Sequence, residues 1–370
     1  MPQTKDCMDQ KKNNLSLEEK RKLPMFFIIA RPRSGTTLLR TLFDRHSNVV
    51  IPLESPFILR FYWKYHKVQD WDEEKILEFY NDITNKDEDI HLNLNISGWT
   101  VDFDQLRKDL LSLAHQTNYA ELCRVVNASY QSFFPKEKIK LVGDKNPVYS
   151  PRSHYLLKLF PDAKFLHMTR DYRDYLQSML RAGFVKKITP IIVHRWVKSL
   201  KLNMQLQKDN PGKFFSFKYE DLVKHPEKTF KEICSFLEIP YEDQLFDFHE
   251  YKNKFLEFYR EKDMEQYHSK LFRPISDKNV GDWKKNLTTE QLEVAELMAG
   301  KAGEQVGYSR SLKRISLKTR IKVQPIRLYL FVTKVIGDIL RTFPHKKGLR
   351  QFIERGPVLG KKYWDKVKEE

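Results

Sequence analysis

At 370 residues the chain can bury a full core, as one large domain or two. Its 41% hydrophobic and 13% aromatic content excludes a disordered chain, and three cysteines far apart in sequence (Cys7, Cys123, Cys234) exclude a disulfide framework and a cysteine zinc site. The net charge of +17 is uneven: residues 310–370 carry 17 Lys+Arg against 5 Asp+Glu, and the other 309 carry 49 against 44. That balance argues against a body built to grip nucleic acid and directs the tail toward an acidic surface.

Residues 1–23 read as a flexible arm of mixed charge with nothing apolar and periodic. The polar stretch through Lys22 is no apolar leader, and no run in the chain approaches a bilayer span. With unpaired cysteines this predicts a cytoplasmic protein. Phe26 to Ala30 are five apolar residues in a row, which suits a central parallel strand covered on both faces. Arg33-Ser34-Gly35-Thr36-Thr37 follows as a turn of small residues opening a helix, with Leu38, Leu39, Leu42 and Phe43 at helical spacing behind it. A helix start of this kind is an anion site, because its free N–H groups and positive dipole end face the turn.

Asn48 to Pro52 predicts a second short strand, ending in Leu53-Glu54-Ser55-Pro56. From 57 to 135 the pattern becomes mostly helical, with Phe57, Phe61, Tyr62, Trp63 and Tyr65 clustered at its start. These aromatics fit either core packing or a substrate wall. Strand and helix then alternate: Lys138–Val142, Ala163–Thr169 and Phe214–Lys218 as strands, with helices from near Asp171, over 190–207 and over Pro226–Leu237. The expected fold is α/β: a P-loop-like parallel sheet with helices on both faces, a helical insertion after the second strand, and a basic C-terminal helical tail. Residues 33–37, 144–146, 170 and 219 fall at predicted strand ends, where ligands of such sheets bind. Ile326–Phe343 predicts an amphipathic tail helix that suits an anionic membrane surface or the protein's own body.

The anion loop lacks the Lys of a Walker A motif, and no strand ends in a convincing Walker B Asp, so a small-molecule kinase is poorly supported. Arg31-Pro32-Arg33-Ser34-Gly35-Thr36-Thr37-Leu38 resembles the 5′-phosphosulfate loop of the sulfotransferase family. Three later segments resemble that family in order: Arg170 to Ser178 its 3′-phosphate segment, Tyr219-Glu220-Asp221-Leu222 a later strand end, and Val280-Gly281-Asp282-Trp283-Lys284 the segment closing over the nucleotide. The resemblance covers 24–309, with 57–135 as an acceptor-side insertion and 310–370 outside it. It is nearest the tyrosylprotein branch, since Asp44, His46, Glu54 and Asp144-Lys145-Asn146-Pro147 stand where that branch has its Asp, His, catalytic Glu and Lys-Asp-Pro.

The resemblance implies 3′-phosphoadenosine 5′-phosphosulfate (PAPS) as donor and a hydroxylated acceptor, with no metal. Arg33, Ser34, Gly35, Thr36 and Thr37 would cradle the 5′-phosphosulfate; Arg170 and Ser178 would hold the 3′-phosphate; Tyr219 and Lys278 would contact the nucleotide. Glu54 would be the general base and Lys145 would stabilise the leaving phosphate. Each has an ordinary alternative: a solvated acid before Pro56 for Glu54, a surface Lys for Lys145, pairing with Asp171 or Asp174 for Arg170, a helix-surface Ser for Ser178, a core Tyr for Tyr219. The closing segment departs from the family pattern, with Ser276-Asp277-Lys278 for Arg-Lys-Gly and Asp282 for a Lys, so Lys278 or Lys284 would serve there. His154 is a second candidate base, and His46 reads as a structural helix-end residue. The aromatic 57–103 region and the tail direct the expectation to an apolar small-molecule acceptor (sterol, lipid or phenol), with carbohydrate or peptide tyrosine as the alternative. A membrane-surface binding protein without enzymatic activity is the remoter reading.

Overall fold

The computed structural model describes residues 15–85, 95–132, 134–182, 187–251 and 274–341. Residues 1–14 of the expected arm, with Cys7, and the tail beyond Arg341 lie outside them. The chain divides into two compact units: residues 1–170 with 199–280, and residues 171–198 with 281–370.

The first unit holds a five-stranded sheet, all parallel, in the order β2-β3-β1-β4-β5. The strands are β1 (Met25–Ile29), β2 (Val49–Val50), β3 (Leu141–Lys145), β4 (Lys164–Thr169) and β5 (Phe214–Lys218). Every residue of β1 is buried, because alternate side chains enter different cores. Met25, Phe27 and Ile29 join one core with the insertion helices Glu73–Thr84, Phe103–Leu111 and Tyr119–Ala128. Phe26, Ile28 and Ala30 join another with the helices Thr36–Arg45, Tyr219–Lys224 and Pro226–Leu237. The sheet is therefore covered on both faces, which explains the continuous apolar run of β1. The helical insertion expected over 57–135 is present, and its aromatics Tyr65, Trp71, Phe79 and Tyr119 form a packed cluster of the first core.

Three elements differ from the sequence expectation. The stretch expected as a strand at Lys138–Val142 is a strand at Leu141–Lys145, so Lys145 lies within the sheet, beside Ile28, rather than in a following turn. The expected arm ends in a helix, Leu17–Lys22, closed by a Ser16–Glu19 capping box. Lys20 pairs with Asp109 at 2.7 Å in the interior, and Arg21 pairs with Glu121 at 2.6 Å, so the segment is held by contacts some 90–100 residues away in sequence that no local pattern reveals. The tail helix begins earlier than expected, running Leu317–Arg341 through Pro325. A Pro usually ends a helical reading because it lacks an N–H, but here the helix continues.

The second unit is helical. Arg173, on the helix Tyr172–Ala182, donates to Asp171 at 2.7 Å, to Glu296 at 3.4 Å and to the Ser309 carbonyl at 3.1 Å. Glu296, on the helix Thr289–Gln305, is fully buried and also accepts from the Ser311 and Leu312 N–H groups and the Ser311 hydroxyl.

Candidate functional site

The loop after β1 turns through two left-handed residues, Arg33 (φ 64°) and Gly35 (φ 92°), and delivers the chain into the helix Thr36–Arg45. A non-glycine residue in this region is uncommon and strained, which marks the loop as built for something other than economy of folding. No side chain caps the helix start, and an uncapped helix N-terminus of this kind is suited to an anion. Gly35 is required twice. Its φ suits glycine, and a Cβ there would lie 2.4 Å from Cδ2 of Tyr219.

Tyr219 begins the helix that follows β5, so the ends of β1 and β5 converge on this ring. Arg170, directly after β4, stacks its guanidinium over the same ring at 4.7 Å and donates Nη1–H to the Arg33 carbonyl at 2.8 Å. Asp171, the next residue, takes a two-pronged pair from Arg173 at 2.7 and 2.9 Å. Arg33, Gly35, Arg170 and Tyr219 are thus one group on the anion loop, with Ser34 and Thr36 buried in its wall and Thr37 half-buried.

On the other side of β1 stands Lys145. Its ammonium pairs directly with the Glu54 carboxylate. The two side chains are unequally placed, Lys145 being 2% exposed and Glu54 37%. Burial pushes the Lys145 pKa down, and the Glu54 charge pulls it back up. Beneath this pair, Asp144 accepts from the Tyr149 hydroxyl at 2.9 Å, and Asn146 donates to the Ser55 carbonyl at 2.8 Å. Burial raises the Asp144 carboxyl to about 7. The ordinary reading of Lys145 as a surface residue is therefore corrected: it ends a buried strand, and its charge is held by Glu54.

Sequence reasoning missed the residue that sets the Glu54 segment. Arg40, buried on the helix Thr36–Arg45, donates to the carbonyls of Ile51 and Pro52 at 2.9 and 3.1 Å, and to Asp44 and the Tyr130 hydroxyl at 3.1 and 3.3 Å. It ties the anion-loop helix to the chain that carries Glu54. The one local signal was Asp44 four residues on. Asp44 also accepts from the Ser132 hydroxyl at 2.6 Å.

His46 is structural, as expected. Its Nδ1 accepts from the Asn48 N–H at 3.1 Å, its Nε2 lies 2.7 Å from the Pro240 carbonyl, and burial lowers its pKa. His154 packs its ring on Tyr155 at 3.9 Å. Lys278 is exposed, with its backbone N–H on the Ser276 hydroxyl. Ser178 belongs to the second unit, half-buried on the helix Tyr172–Ala182. In that unit Asp174 accepts the N–H groups of Gly281 and Trp283 at 2.8 and 3.0 Å, which fixes the start of the closing segment. Trp283 is buried under the Arg173 guanidinium at 4.2 Å, so it packs rather than lying open to a ligand.

Comparison with known proteins identifies the family. Over 245 residues the chain is 27% identical to a protein-tyrosine sulfotransferase of Drosophila melanogaster, covering 63% of this chain and 42% of that one. Over 254 residues it is 26% identical to protein-tyrosine sulfotransferase 2 of Gallus gallus, covering 65% and 58%. The chain spans about half the length of the curated relatives it matches. Among solved structures, the sulfotransferase domain of a Synechococcus olefin synthase is 19% identical, with a TM-score of 0.49 over 75% of this chain and 94% of that one. A family model described as the Sulfotransferase family matches residues 24–243, more than half of the chain, and the protein belongs to that family.

Proposed function

We propose that the chain transfers the sulfuryl group of PAPS to a hydroxyl, and that the acceptor is a phenol of the tyrosine class presented by a peptide. The observation that carries the transfer is the Lys145–Glu54 pair set beside the anion loop, with Lys145 in register with Ile28, two residues before the loop begins. The loop residues fit a phosphosulfate: an uncapped helix start, two left-handed residues, and small side chains that admit close approach of the backbone. When bound there, PAPS supplies an activated sulfur and a phosphate leaving group.

The chain's own residues then divide the work. Glu54 is the half-exposed member of the pair, so an acceptor O–H can reach its carboxylate from solvent and lose its proton there. Lys145, at the end of a buried strand, carries its positive charge toward the oxygen on which negative charge grows. Transfer of Lys145 from Glu54 to that oxygen frees the carboxylate to act as base. Arg40 holds the Ile51 and Pro52 carbonyls, and so keeps Glu54 at a constant distance from the loop helix. Arg170 and Tyr219, joined to each other and to Arg33, form the nucleotide side.

The tyrosine class is preferred over an apolar small molecule on two grounds. Relatives matched in sequence are named protein-tyrosine sulfotransferases. Of the aromatics expected as a wall for an apolar acceptor, Phe57, Tyr62 and Tyr65 are buried, Tyr65 packing in the core against Trp71 and Phe79, while Phe61 and Trp63 keep partial exposure.

The test is turnover of labelled PAPS on a panel holding a tyrosine peptide, a simple phenol, a sterol and an oligosaccharide, with thermal stabilisation by 3′-phosphoadenosine 5′-phosphate measured alongside. The tyrosine peptide is expected to be the fastest acceptor and the nucleotide to raise Tm. A sterol as the fastest acceptor overturns the tyrosine reading. Stabilisation by ATP with Mg²⁺ and none by the adenosine bisphosphate overturns the donor.

A further inference from the structure

The helix Leu317–Arg341 uses one face to stay on its unit and leaves another bare. Ile315, Thr319 and Val323, each four residues apart, are buried, and Thr319 bonds the Glu293 carboxylate of the neighbouring helix. At about 100° per residue, Leu317, Ile321, Leu328, Val332 and Val335 fall in a wedge about 60° wide on the other side. All are exposed, Leu328 at 65%, and Phe331, about 40° outside the wedge, is 64% exposed. Basic residues stand on both shoulders of this ridge: Lys318 and Lys322 on one, Arg320, Arg327 and Lys334 on the other, all exposed. From Leu317 through Ile336 there is no Asp or Glu.

From this we infer a second surface, outside the transfer site: the apolar ridge of Leu317–Arg341 seats in the headgroup layer of an anionic lipid membrane. An apolar strip between two rows of cations matches lipid tails below and acidic headgroups on either side. Among the described residues no helix is long and apolar enough to cross a membrane, so the helix lies in the surface. Charge decides against the rival occupant. A second copy of the chain would bring the same basic shoulders together, whereas an acidic bilayer is complementary to them and to the 17 Lys+Arg against 5 Asp+Glu of residues 310–370.

The experiment is co-sedimentation of the full chain with vesicles of phosphatidylcholine alone or with about 30% phosphatidylserine, at low and high salt. Binding is expected on the phosphatidylserine vesicles, falling with salt. The Leu328→Glu/Phe331→Glu variant should lose about tenfold in partition, and Arg327→Glu/Lys334→Glu about tenfold or more, with its salt dependence flattened. Because all four side chains are exposed, both variants should keep the parent's Tm and its stabilisation by 3′-phosphoadenosine 5′-phosphate, which separates this surface from the transfer site. Equal sedimentation of parent and variants overturns the inference, as does absence of binding to either vesicle. So does a dimer in solution that Leu328→Glu/Phe331→Glu dissociates.

Discussion

Lys145 and Glu54 are a matched pair with unequal surroundings, and the inequality underlies the roles proposed for them. A buried ammonium is expensive unless a partner offsets the lost water, and here the partner is the more exposed group. When the ammonium turns to another oxygen, the carboxylate is left in contact with solvent and acceptor, which is what a base needs. Glu54→Gln should keep nucleotide binding and lower kcat by about 10²–10⁴-fold; a kcat within a factor of two or so of the parent would remove Glu54 from the proton transfer. Asp144, one residue before Lys145, gives a separate test through pH. Burial raises its folded carboxyl from 3.8 to about 7. In that window the native state holds a proton that the unfolded chain has lost. The stabilisation is full below the unfolded value and is lost as pH rises through about 7. Relative to Asp144→Asn, the parent should lose on the order of a few kcal/mol of stability between pH 5 and pH 8. Denaturant midpoints of the two proteins at both pH values measure this, and a difference independent of pH would show that Asp144 stays ionised throughout.

Elements were legible in the sequence wherever packing alone shaped them. The apolar run of β1, the strand at Phe214–Lys218 and the helix Pro226–Leu237 are where the pattern placed them. The pattern failed at β3, which ends in Gly143, Asp144 and Lys145. Those residues are polar or bare, so hydrophobic periodicity stopped three residues short. The strand, turn and helix start around residues 33–37 were legible, but the Arg40 clamp was not. Its partners Ile51, Pro52 and Tyr130 are 11, 12 and 90 residues away, and only the fold brings them together. The loop's dependence on Tyr219 was equally invisible and makes the sharpest test at this scale. Gly35→Ala would force a Cβ into the Tyr219 ring from a left-handed backbone, a strain of about 1–3 kcal/mol. The ring also carries the Arg170 guanidinium, so the nucleotide side shifts with it. Calorimetric titration with 3′-phosphoadenosine 5′-phosphate should show Kd rising about tenfold or more, since each 1.4 kcal/mol is a factor of ten. An unchanged Kd would mean that the loop and Tyr219 do not act together in binding.

For the whole molecule, the charge asymmetry read from composition separates a nearly balanced body from a basic tail, but the structural division does not fall at residue 310. Residues 311–323 belong to the helical unit. Ser311 and Leu312 supply three hydrogen bonds to buried Glu296, and Ser316 supplies two to Glu293, one from its N–H at 3.0 Å and one from its hydroxyl at 2.6 Å. Glu296 meanwhile keeps Arg173, which is the link between the helix Tyr172–Ala182 and the segment around Ser309. Two truncations should then behave differently although both remove most of the basic residues. Ending the chain at Ser309 strips Glu296 of three donors in a dry site. A buried carboxylate left short of partners costs on the order of 3 kcal/mol or more. Ending it at Gln324 leaves Glu293 and Glu296 satisfied and Val323 in place. By calorimetry the longer form should melt within about a degree or two of the full chain, and the shorter should melt several degrees lower. Equal melting of the two would show that residues 310–323 contribute nothing to the fold. If the longer form is stable and keeps turnover but no longer sediments with acidic vesicles, the membrane-facing ridge and the transferase body are separable functions of one chain.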